Sequence, residues 1–257
     1  MGVGVVGAIP HNDTREDGVQ SAQIACDLAE RHDRPLDLHV DETDDSSSRF
    51  TEVQASEALE RGIGDRTTTG HTTAMHSYNS AYADKVTSLL VDSGVSVVTN
   101  PPDNSVLQGS DDGYPRRRRH TRIDEPRKAG VTVGIGHDSV LDSRYHYSVA
   151  NPLDAAFILV HYAHMAGRGD VPTLWEMLTD ANVSAFGATD YELAKGNEGS
   201  LVVFDSPNAL NAFSHRSPPN ARSRDGEPVA RMNPSETRIK RAGGQCSIEF
   251  LSMSNSY

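Results

Sequence analysis

The sequence predicts an α/β fold on parallel strands, with the spacing of a β/α barrel and a small β appendage after it. Three observations carry this. Short apolar runs alternate with helical runs over residues 1–190 and are joined by short links, the order expected of a parallel sheet. The five strands end near Ile9, Val40, His71, Thr99 and Asp138, a repeat of roughly 30 to 40 residues that suits such a barrel. After about Tyr191 the texture changes to short strands separated by Pro, Ser and Asn. The expected organisation is a barrel portion over 1–190, a β appendage over 191–240 and a poorly ordered tail over 241–257.

Residues 3–9 read as a buried strand that stops at Pro10 and His11. Residues 18–32 have helical spacing, with Val19, Ala22, Ile24, Ala25 and Leu28 toward one side. Residues 36–40 alternate as a strand and 49–61 form a helix. A Thr-rich strand over 66–73 ends near His71, followed by a helix over 81–93 and a strand over 95–99 stopped by Pro101 and Pro102. Residues 103–122 read as a polar loop, and 131–135 as a strand leading into Gly136-His137-Asp138. Pro152 and Pro172 each suit the first position of a helix, over 152–166 and 172–178. In the appendage, 201–204 and 226–232 are expected strands.

The bulk numbers exclude several functions. Net charge is −12 over 257 residues, which argues against sequence-independent attraction to nucleic acid or to an anionic membrane. The only lysines are Lys85, Lys128, Lys195 and Lys240. An acidic, Lys-poor surface suits a salt-rich cytoplasm, where ions screen self-repulsion. Cys26 and Cys246 stand far apart with no C-x-x-C, so neither a disulfide framework nor a thiolate zinc site is indicated. No run approaches membrane-spanning length, and residues 1–10 are too short and lack the basic lead of a signal peptide. A cytoplasmic location is expected. The four-Arg run 116–119 reads as a solvated loop, because aromatic residues for base stacking are not interleaved with it.

Three strand ends carry groups of the kind used around metals: His39 with Glu42, His71, and Asp138. In a β/α barrel the carboxyl ends of the strands share one mouth, so residues distant in sequence meet there. Imidazole nitrogen and carboxylate oxygen suit Zn²⁺ or Fe²⁺. Each residue alone has a plainer reading, as a hydrogen-bonded strand-end His, a turn-capping Asp or a surface Glu. His137 adjoins Asp138 and should turn the other way by strand alternation. His76, His161 and His164 lie off the pattern.

The chain resembles the cytosine deaminase branch of the amidohydrolase superfamily. The resemblance rests on VVGAIPH from Val5, DLHVDETDD from Asp37, GHTTAMHSYN from Gly70, NPP from Asn100, LQG from Leu107, YPRRR from Tyr114 and GHD from Gly136. GNEGSLVVF from Gly196 resembles the opening strand of the family's C-terminal β domain. The resemblance implies strands four to eight of the family's barrel with a fragment of its C-terminal β domain. It implies His39 and Asp138 as ligands to one divalent ion, Fe²⁺ or Zn²⁺. It further implies Glu42 as the proton shuttle, His71 as the residue holding the attacking hydroxide, and Asp138 as the acceptor of the water's proton. The substrate would be cytosine or a related amino-heterocycle, hydrolysed to uracil and ammonia.

No two histidines here are two residues apart, whereas the family's first strand ends in H-x-H. The expectation is therefore an N-terminally truncated cytosine deaminase, impaired as it stands, or else an inactive remnant of such a gene. A homo-oligomer or a missing N-terminal segment could complete it. Ser139 and Arg144 depart from the family's usual Asp and aromatic residue and would shape substrate binding.

Overall fold

The computed structural model describes residues 4–118, 120–189 and 191–232. The chain divides into two compact units, 1–189 and 190–257. The expected tail over 241–257, Arg119 and Cys246 lie outside the described residues.

The first unit begins with β1 (Val6–Ala8) and α1 (Arg15–His32). Helix α1 starts three residues before the expected 18 because Thr14 caps it, its hydroxyl accepting from the Asp17 amide at 3.3 Å. Strand β2 (Leu36–Val40) alternates as its sequence requires: Leu36, Leu38 and Val40 are buried, while Asp37 and His39 face the other side. Next come α2 (Phe50–Arg61), β3 (Thr67–His71), α3 (Ser80–Ser93) and β4 (Ser96–Thr99). Both α2 and α3 end on a left-handed glycine, Gly62 and Gly94, at φ 65° and 74°.

Beyond β4 lie α4 (Pro101–Leu107), α5 (Asp124–Ala129), β5 (Val133–Ile135), α6 (Pro152–Tyr162), α7 (Asp170–Leu178) and α8 (Asp180–Ala185). The polar loop expected from 103 therefore opens inside a helix. Pro101 and Pro102 occupy its first positions, where their missing N–H groups cost nothing. Pro172 is the third residue of α7 rather than the first.

The five strands form one parallel sheet in the order β1-β2-β3-β4-β5. Pairing sets His39 opposite Gly70 and Val40 opposite His71. The core comprises Leu36, Leu38, Val40, Val86, Leu90, Val97, Leu159, Leu174 and the small face of α1, where Ala22, Cys26 and Ala29 are fully buried.

The second unit holds β6 (Leu201–Phe204), α9 (Ala209–Ser214), β7 (Pro219–Arg224) and β8 (Glu227–Arg231), the strands forming an antiparallel sheet in the order β6-β7-β8. Strand β7, Pro-Asn-Ala-Arg-Ser-Arg, was not expected: it is polar and its side chains bury little, so no apolar alternation marks it.

The expected partial barrel of strands four to eight is corrected by this topology. The described residues form an α/β fold with two sheets, five parallel strands and three antiparallel ones. Alternating β and α runs specify neighbouring parallel pairs but not which positions of a larger barrel those strands would occupy. No described helix is long and apolar enough to cross a membrane.

Candidate active site at the strand ends

Four side chains from three strand ends gather around one point. His39 stands on the polar face of β2, and Glu42 follows after one turn. The turn is fixed by Asp41, fully buried at φ 52°. Its carboxylate accepts from the Phe50 and Thr51 amides at 3.0 and 2.9 Å, which open α2, and from Thr51 Oγ1 at 2.6 Å and Tyr78 Oη at 3.1 Å. The residue between the two candidate groups thus serves as a remote cap for the next helix.

His71 ends β3 in the left-handed region, φ 69°, with no exposed surface. Its Nε2 lies 3.2 Å from His39 Nδ1, and the two rings are 4.7 Å apart. Its Nδ1 lies 3.2 Å from Glu42 Oε1 and 2.9 Å from Asn104 Nδ2. Asp138, at φ 66° after β5, brings Oδ2 to 3.9 Å from His71 Nε2. His39 and Asp138 thus both lie within reach of the same imidazole nitrogen.

Burial sets the electrostatics. Desolvation, reinforced by the His39 imidazole, pulls His71 down to about 3, so it is neutral. The Glu42 side chain is only 4% exposed. Desolvation and then the carboxylates of Asp103 and Asp138 push Glu42 up to about 8. Arg144 opposes this, its guanidinium 3.5 Å from Glu42 Oε2. Ser139 is buried, and its carbonyl lies 2.9 Å from His137 Nδ1. The other ring nitrogen of His137 meets Ser148 Oγ, so His137 faces away from the four.

Two donor groups overlap here: His39, Glu42 and His71, and Glu42, Asp103 and Asp138, each with its ligand atoms within 4.8 Å of one another. Asp103 and Asn104, from the first turns of α4, were missed because residues 103–122 read as loop. The Pro-Pro-Asp start was the available signal of a helix aimed at the strand ends. Asn100, with Nδ2 3.4 Å from His71 Nε2, was missed with them.

The donor set fits one divalent ion. His39, Glu42 and His71 each offer one donor atom to it. Mixed imidazole and carboxylate donors suit Zn²⁺ or Fe²⁺ without deciding between them.

The profile of the amidohydrolase family matches residues 8–230. The crystal structure of 5-methylcytosine deaminase from Klebsiella pneumoniae with 5-fluorocytosine superposes with a TM-score of 0.88 at 37% identity, over 93% of this chain and 58% of that one. N-isopropylammelide isopropylaminohydrolase from Burkholderia multivorans shares the fold at a TM-score of 0.74 and 23% identity, over 90% of this chain and 56% of that one. A pterin deaminase from Rhizobium rhizogenes is 29% identical over 173 residues, 66% of this chain and 39% of its own length. The expectation of a truncated cytosine deaminase is corrected at the level of the family: the profile fixes membership more broadly, and the chain spans 58% and 56% of the length of these two solved relatives. Motifs from a single branch had drawn the expectation too narrowly. With the strand-end cluster inside the matched residues, the chain belongs to the amidohydrolase family.

Proposed function

We propose that this chain performs metal-assisted hydrolytic deamination of an amino-substituted nitrogen heterocycle, cytosine or a close relative. Water adds to the carbon bearing the amine, the C–N bond breaks and ammonia leaves. The observation that carries this reading is the contact series from Glu42 through His71 to His39, with Asp138 beside it. The 37% identity to a 5-methylcytosine deaminase supports the substrate class.

His39 and Asp138 would hold Fe²⁺ or Zn²⁺, whose Lewis acidity would bring the pKa of water to roughly 7. Glu42, whose carboxyl burial pushes up toward the protonated form, delivers a proton to the ring nitrogen. It then takes the proton of the hydroxyl added at that carbon and passes it to the departing amine. Neutral His71 orients the attacking oxygen through Nε2. Asp138, whose side chain is 20% exposed, takes the proton that water gives up. Arg144 and Ser139 form the rim against which the flat ring lies.

The test is ammonia release from cytosine and 5-methylcytosine by the Fe²⁺- or Zn²⁺-loaded chain, with the Glu42→Gln variant alongside. Release that needs metal and is lost in Glu42→Gln supports the reading. No release from either base, or release that persists in the variant, removes it.

A further inference from the structure

Arg144 is held in place more firmly than its guanidinium is used. Asp142 Oδ1 accepts from the Arg144 and Tyr145 amides at 2.8 and 3.1 Å, and the Asp142 amide donates to the Tyr145 carbonyl at 3.2 Å. Tyr145 packs edge-on against His137 and Tyr147, with ring centroids 5.9 and 6.0 Å apart. This turn presents a side chain that is 52% exposed over Glu42, whose own is 4% exposed. Among the described residues the only ion pair of Arg144 is the one from Nη1 to Glu42 Oε2 at 3.5 Å, longer than the about 2.7–2.9 Å of a charge-assisted hydrogen bond. A guanidinium has five donors in one plane. Other arginines here spend theirs more fully: Arg61 meets Asp27, Glu30 and Glu57 at 2.6, 2.9 and 3.0 Å, and Arg117 grips Asp112 through two nitrogens at 3.0 and 2.8 Å.

We propose that Arg144 selects amino-heterocycles that carry a carboxylate substituent, gripping it through two parallel N–H donors. The inference rests on the deamination reading and narrows its substrate class. The planar fork matches a carboxylate edge to edge, which neither a lysine nor the aromatic residue usual at this position could do. A substrate carboxylate exchanges one long contact for two short ones and frees Glu42 Oε2 from the arginine. A neutral base such as cytosine leaves Arg144 on Glu42 and is the poorer ligand.

The test is calorimetric titration of the Zn²⁺-loaded full chain with uracil, uracil-5-carboxylate and uracil-6-carboxylate, none of which has an amine to lose. Arg144→Leu and Arg144→Lys are titrated in parallel, and circular dichroism reports folding. The expected result is that at least one carboxylate binds about 10-fold or more tighter than uracil. That ratio falls to about one in Arg144→Leu and is only partly kept in Arg144→Lys, which retains the charge without the fork. Neither carboxylate binding more tightly than uracil, or a ratio that persists in folded Arg144→Leu, overturns the assignment. Ammonia release is scored separately: its absence with the ratio intact removes the deamination reading alone, and release from cytosine with no such ratio removes the carboxylate assignment alone.

Discussion

Replacing Asp41 by Ala should be the most damaging single change near the site that removes no candidate catalytic group. The carboxylate is fully buried and accepts from two amides and from the hydroxyls of Thr51, Tyr78 and Ser48. The hydroxyls can turn; Tyr78 already reaches the Ser48 carbonyl at 2.6 Å. The Phe50 and Thr51 amides cannot, and each orphaned buried donor costs about 1–3 kcal/mol. Alanine at φ 52° adds about 1 kcal/mol, because aspartate tolerates the left-handed region better. The sum is about 3–7 kcal/mol, or roughly 6–28 °C in Tm for a chain of this size. Asp41→Asn keeps an acceptor oxygen and tolerates the same backbone, so it should lose about half as much. Urea denaturation followed by circular dichroism, with calorimetry for Tm, measures both. A loss below about 1 kcal/mol in Asp41→Ala would refute the claim that this carboxylate holds the strand-to-helix turn.

Other expectations follow from the same geometry. Glu42→Gln should lower kcat/KM for ammonia release by about 100- to 10,000-fold while Zn²⁺ binding, followed by calorimetry, persists. Gly64→Ala would set a Cβ 1.6 Å from the Ser93 carbonyl oxygen; a clash with backbone should cost about 1–3 kcal/mol, read as a lower urea midpoint. Burial pushes the Cys26 thiol up to about 11, so it carries less thiolate than a free cysteine at any pH below that. In a Cys246→Ser background its reaction with a disulfide reagent at mildly alkaline pH should be slow, and fast once urea unfolds the chain. With a net charge of −12, raising salt from about 0.1 M to about 1 M shortens screening from roughly 10 Å to 3 Å and should raise Tm; a fall would contradict the salt-adapted reading.

Much of the site could be read in the sequence because parallel strands end on one side. Once His39, His71 and Asp138 were placed at strand ends, their meeting followed from topology, and the structure brings them together with Glu42. Asp103, Asn100 and Asn104 were not found, because they act from a short helix whose Pro-Pro start also reads as a loop. Asp41 hid for another reason. It lies between two residues with more obvious chemistry, and the amides it caps lie nine and ten positions on and carry no side-chain signature. In the fold, β2 announced itself by alternation. Strand β7 did not, because it is held by its backbone ladder to β6 and β8 more than by buried side chains. The strand-helix repeat fixed the neighbouring parallel pairs of the five strands, whereas their assignment to positions four to eight of a barrel came from the resemblance alone.

The most direct test of the central claim is the Zn²⁺ content and affinity of the purified chain, measured by calorimetry and elemental analysis against His39→Ala and Asp138→Ala. The account predicts one Zn²⁺ at the strand ends, lost in both variants while their circular dichroism is unchanged. Equal Zn²⁺ content in all three proteins would contradict it.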